Sequence, residues 1–165
     1  TIQRLNSVVL FYRGDTMSVQ SFINAAKILY NENFYEESLC LVCSAIDASA
    51  AQCYPDKKVT ERYKTFLKNH FRTITNIGFP GISADSIRIK VNVQVDSLKP
   101  DADGYVDMEQ IIYHVLRCGL VHRCDIDDSI EFTDCTIIGD WNTDKFYIPK
   151  AIIWGLIAAV ENCNT

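Results

Sequence analysis

The sequence predicts a mainly α fold, an up-and-down bundle of four to five helices interrupted by short β-like insertions. Three observations carry this. Four or five segments repeat apolar residues at three- and four-residue spacing. Only one clear stretch, "IRIKVNVQV" at 87–95, alternates strictly and is rich in β-branched residues. No internal repeat or low-complexity tract breaks the pattern. With 165 residues, 48% of them apolar and 22% charged, the chain reads as one domain over 1–165 with room for an ordinary core.

Along the chain, residues 18–30 place Val19, Phe22, Ile23, Ala26 and Leu29/Tyr30 on one stripe, with Ser18 as the N-cap. The segment 35–53 opens on glutamates, which suit a helix N-terminus, and turns Leu39, Val42, Ala45, Ile46 and Ala50 inward. Pro55 and Asp56 mark a break. A third helix over about 57–76 aligns Val59, Tyr63, Phe66, Leu67 and Ile74. Two insertions, at about 78–106 and 125–148, hold the loop "GFPGISADS", the alternating strand, the turn "KPDADGY" and, over 129–148, two short strands or an extended excursion around Gly139–Asp140. Between them, residues 107 to about 121 form a helix with Met108, Ile111, Ile112, Val115 and Leu116 as its stripe. Pro149 opens a last helix that buries Ile152, Ile153, Leu156, Ile157 and Val160.

Charge and apolar run lengths narrow the function classes. The net charge of −5 argues against a non-specific binder of nucleic-acid backbone, which needs a basic footprint. An enzyme that touches RNA briefly with one or two arginines is compatible with it. The longest apolar run, 151–160, falls far short of a roughly 20-residue membrane span, so no membrane partner is expected and the simplest address is cytoplasmic. The seven cysteines are odd in number and scattered, and read as reduced, mostly buried thiols.

The chemistry candidates concentrate in "HVLRCGLVHRC" at 114–124. Arg117 and His122 lie five residues apart, which on a regular helix sets their side chains about 140° from one another. A site built on both then draws on a second copy of the chain. Alternatively, His122 sits on the core stripe seven residues from Val115, and Arg117 complements a helix C-terminus. Cys118, His122, Cys124 and Cys135 supply four zinc-competent ligands, but not at the spacing of a familiar zinc ribbon, so buried thiols without a metal or other cofactor are the preferred account. Cys40 and Cys43 have a CxxC interval inside a helix, a poor redox context. His70 falls on an apolar stripe, His114 on the exposed side of its helix, and the acidic run 125–131 lacks calcium-loop spacing.

The stretch "YHVLRCGLVHRC" resembles the R-x4-6-H signature of HEPN domains, and the flanking amphipathic helices resemble that family's bundle. The resemblance implies a homodimer that joins Arg117 and His122 of both protomers in one composite cleft. It implies a metal-independent endoribonuclease, with Arg117 stabilising the phosphate in the transition state and His122 as general acid or base toward the 2′-OH or the leaving oxygen. Cys118, Tyr113 and Asp47 would bind substrate or support the cleft. Many HEPN proteins belong to toxin–antitoxin or phage-defence systems, so RNA, an antitoxin or another protein is the implied partner. One position departs from active members, which commonly carry Asn, Asp or His after the arginine where this chain has Cys118. The alternative is a catalytically inactive module for dimerisation or for RNA or protein binding.

Overall fold

The computed structural model describes residues 17–91, 97–124, 126, 128, 130–136 and 145–163. The first helix, α1 (Val19–Asn31), starts at a reciprocal cap. Ser18 Oγ accepts from the Ser21 amide at 3.1 Å, while Ser21 Oγ accepts from the Ser18 amide at 2.9 Å. It turns back through Asn33, which takes a left-handed φ of 68°, into α2 (Tyr35–Cys53). The two helices pack as a hairpin, pinned where Ser38 Oγ donates to the Ala26 carbonyl at 2.8 Å. Leu39, Val42, Ala45, Ile46 and Ala50 are fully buried or nearly so, as their spacing requires.

The third predicted helix is two. Helix α3 (Val59–Asn69) ends at His70, and α4 (Phe71–Gly78) starts directly after it, its own inward face carrying Phe71, Ile74, Thr75 and Gly78. Helix α4 packs on the last helix, α7 (Ile152–Cys163). Gly155 makes this possible, because a Cβ there would lie 2.5 Å from the Ile74 carbonyl oxygen. Pro149 does not open α7; it closes a strand three residues earlier.

Two small sheets occupy the insertions. Strands β1 (Arg88–Lys90) and β2 (Tyr105–Asp107) pair antiparallel, Ile89 opposite Val106. Only this short part of the predicted 87–95 strand is seen, since 92–96 lie outside the described residues. Strands β3 (Ile130–Thr133) and β4 (Phe146–Pro149) pair in parallel, and the predicted excursion at Gly139–Asp140 between them also lies outside the described residues.

Strand β2 runs straight into the helix that carries the candidate residues. It begins as α5 (Met108–Ile111), widens into a π segment over Ile112–Arg117, and resumes as α6 (Cys118–Arg123). It stops at Cys124, which adopts a left-handed φ of 53°. The wide turn rotates the residues beyond it off the predicted stripe. Arg117 turns inward and is 8% exposed, whereas His122 is exposed and does not lie on the core stripe. The fold is thus mainly helical with small sheets. No helix among the described residues is long and apolar enough to cross a membrane.

Candidate functional site

The site is assembled from α2, α3 and the π-interrupted helix. Asp47 stands one turn after Cys43 on the inner side of α2, and Arg117 closes the π segment opposite it. Arg117 donates from Nε at 2.9 Å and from Nη2 at 2.7 Å to the same oxygen, Oδ2 of Asp47. Its third nitrogen, Nη1, lies 2.8 Å from His122 Nε2. A guanidinium has only donors, so Nε2 accepts and the imidazole proton resides on Nδ1. Nη1 also points to Cys118 Sγ at 3.9 Å.

Arg117 and His122 therefore meet within one chain, despite the angular separation expected of a regular helix. Helical side chains lean toward the N-terminus, which brings His122 back over the turn of Arg117. Asp47 swings the long arginine to meet it.

An aromatic wall backs the cluster. The Arg117 guanidinium lies 5.3 Å from the centre of the Tyr113 ring, a cation–π contact. The Tyr113 hydroxyl is hydrogen-bonded to Thr60 Oγ1 at 2.9 Å, and its ring meets Tyr63 edge-on at 5.2 Å. Lys64 donates to His114 Nε2 at 3.0 Å on the other flank, so His114 is half-buried and partnered instead of exposed.

The electrostatics fit a closed ion pair. Burial alone would lower the Arg117 pKa, but the hydrogen bonds and charge of Asp47 more than offset it and raise it above the ordinary arginine range. Burial pushes the Cys43 thiol up to about 12 and raises the neighbouring Tyr63 phenol, leaving both neutral. Among the described residues, the buried Oδ1 of Asp47 has no hydrogen-bond partner.

Of the residues singled out in the sequence, Arg117, His122, Cys118, Tyr113 and Asp47 come together. The possible zinc set does not. Among the described residues no group of three or more His, Cys, Asp or Glu is placed to hold a metal ion, so Cys118, His122, Cys124 and Cys135 are not gathered. Nor are the thiols mostly buried, since Cys53, Cys124 and Cys135 are exposed and only Cys43 is buried outright. Thr60 carries no signal in the sequence, and Tyr63 and Cys43 are hidden there among core positions.

Next to this cluster, α6 walls an apolar cleft of about 380 Å³ against the α1–α2 corner. Leu29, Cys40, Leu41, Leu120 and Cys124 line it, and the exposed carboxylates of Glu36 and Glu37 stand at its side. Leu120 and Cys124 bracket His122 in sequence, so the ion pair that anchors this helix also sets one wall of the cleft.

A family model described as Rv1289 matches residues 18–161. The chain belongs to the Rv1289 family. The match runs from the cap of α1 into α7, and it overturns the HEPN resemblance. An Arg–His interval is a short signal, and here the two residues share a hydrogen bond within one chain. Relatives include the uncharacterized proteins Rv1289 of Mycobacterium tuberculosis (strain H37Rv) and Mb1320 of Mycobacterium bovis. Each is 24% identical over 135 residues, covering 78% of this chain and 62% of its own length. The chain thus spans 62% of the length of the curated relatives it matches. No solved structure matches.

Proposed function

We propose that this Rv1289-family chain is a protein-binding module, and that its cleft between the α1–α2 corner and α6 takes a basic, apolar segment of a partner protein. The observation that carries this is the cleft itself, apolar along Leu29, Leu41 and Leu120 and acidic at Glu36 and Glu37. Exposed Ile28 and Phe34, at 48% and 53%, extend the apolar surface around the same corner. The Asp47–Arg117–His122 cluster acts as a clamp that holds α6 in register, which suits a guanidinium whose Nε and Nη2 are already engaged by a carboxylate.

A Lys/Leu-rich model peptide titrated into the full chain tests this by calorimetry and by NMR shifts of Leu41 and Leu120. Saturable binding, lost in Leu41→Asp and weakened in a Glu36→Gln/Glu37→Gln variant, supports the module. Binding that survives Leu41→Asp while collapsing in moderate salt is non-specific charge attraction and sinks it.

One observation favours a second reading, metal-independent cleavage of RNA. His122 Nε2 is an unprotonated acceptor beside a guanidinium. A phosphate that took Nη1 would free Nε2 to receive the 2′-OH proton as the 2′-oxygen attacks phosphorus; the P–O5′ bond then breaks, and the imidazolium returns a proton to the leaving 5′-oxygen. Such cleavage persists in EDTA and is abolished by His122→Ala; intact RNA with the wild-type protein excludes it.

A further inference from the structure

Outside this cluster, two thiols meet at the far ends of α2 and α7. Cys53, the last residue of α2, is exposed; Cys163, the last of α7, is half-buried. Their sulfur atoms are 2.9 Å apart, and both thiols are free. The two helices pack on one another, so the contact is held by the core and not by a loose loop.

We propose that Cys53 and Cys163 form a reversible thiol–disulfide site that is oxidised by low-molecular-weight disulfides, with Cys53 as the attacking thiol and Cys163 as the resolving one. Exposure gives Cys53 access to such a reagent, while its partner is shielded. Burial and the hydrogen bond with Cys53 raise the Cys163 thiol above its ordinary range, which makes it the poorer first nucleophile.

The exchange balances in two steps. The Cys53 thiolate attacks one sulfur of the reagent disulfide, forming a mixed disulfide and expelling one reagent thiolate. The Cys163 thiolate then attacks Cys53 Sγ and expels the second. Both protein thiol protons end on the two released reagent thiols, and the reagent is reduced as the protein is oxidised.

Of the other cysteines, Cys40, Cys43 and Cys118 compete poorly. Cys43 is buried with its thiol pushed up to about 12, and Cys118 sits behind the Arg117 guanidinium. Cys40 and Cys124 share the apolar cleft, and burial raises the Cys40 thiol.

The bridge would fasten α7 to the helix that also carries Asp47, less than two turns upstream. It closes a long loop and so restricts the unfolded chain.

The test exposes the full chain to glutathione disulfide, quenches with acid, alkylates the remaining thiols and maps the peptides. The expected result is a linked Cys53–Cys163 peptide with no glutathione retained on either of the two cysteines. The melting temperature should rise by about 5 °C or more, reversibly with dithiothreitol. Cys163→Ser should stall with glutathione on Cys53, and Cys53→Ser should leave Cys163 largely unreacted. Glutathione stably retained on wild-type Cys53, a bridge to another cysteine, or unchanged thiols would each overturn the proposal. The wild-type outcomes decide the matter even if a serine variant folds poorly.

Discussion

Asp47 and Arg117, 70 residues apart in the chain, are joined through a single carboxylate oxygen that receives two guanidinium donors at 2.9 and 2.7 Å. The side chains are only 21% and 10% exposed, so each partner depends on the other to offset its desolvation.

Removing both partners should therefore cost less than the two single losses together. Asp47→Ala is expected to destabilise by about 2–4 kcal/mol, because it strands a buried cation. Arg117→Met should cost less, since Met fills the site without charge. The double variant should be more stable than the sum of the single losses predicts. Urea unfolding with unchanged m-values measures this, and strict additivity would refute the clamp.

His122 is the exposed arm of the same cluster. His122→Ala should lower stability by less than about 1 kcal/mol, the range of exposed polar contacts. A loss as large as that of Asp47→Ala would mean that the imidazole, not the carboxylate, holds Arg117.

The seam between α4 and α7 should tolerate no side chain at Gly155. Alanine there sets a Cβ 2.5 Å from the Ile74 carbonyl oxygen, and both walls are backbone. Gly155→Ala should destabilise by about 1–3 kcal/mol or more through overpacking. A melting temperature equal to that of the wild type would show that the helices can part freely.

Acid should weaken the fold through its half-buried imidazoles. Burial lowers the pKa of His70, and burial followed by the Lys64 and Lys99 charges lowers that of His114. A depressed folded-state pKa means that the unfolded chain binds protons more readily. Their contribution is complete above the unfolded value of about 6.5 and is lost as pH falls through the folded values. Denaturation midpoints between pH 7.5 and 5.5 should drop less in His70→Gln and His114→Gln than in the wild type. Equal drops in all three proteins would assign the acid sensitivity elsewhere.

The helices were legible because burial dictates their period. Ser18, Pro55 and the stripe of α2 mark their elements in sequence and again in space. The break at His70 was not, since apolar residues recur on both sides of it and a one-residue interruption leaves periodicity almost intact. The five residues of the site were all named from the sequence, but the way they meet was not. The angle between two helix positions leaves out side-chain reach, and the long arginine, drawn over by Asp47, spans the gap to His122. The Cys53–Cys163 contact depends on how two helices 110 residues apart dock, which local pattern cannot reveal.

The wide turn over Ile112–Arg117 also gives this helix an unusual kind of length tolerance. Deleting one residue there would let the backbone heal into an ordinary α-helix, so overall helicity by circular dichroism should barely change. The wide turn holds one residue more than an α turn, so its removal would leave the two flanks in nearly their present phase, whereas the same deletion within α6 would rotate the residues after it by about 100°. Arg117 and the cleft wall at Leu120 would then keep their places, making the segment one residue of slack between the β2 end of the helix and its functional end.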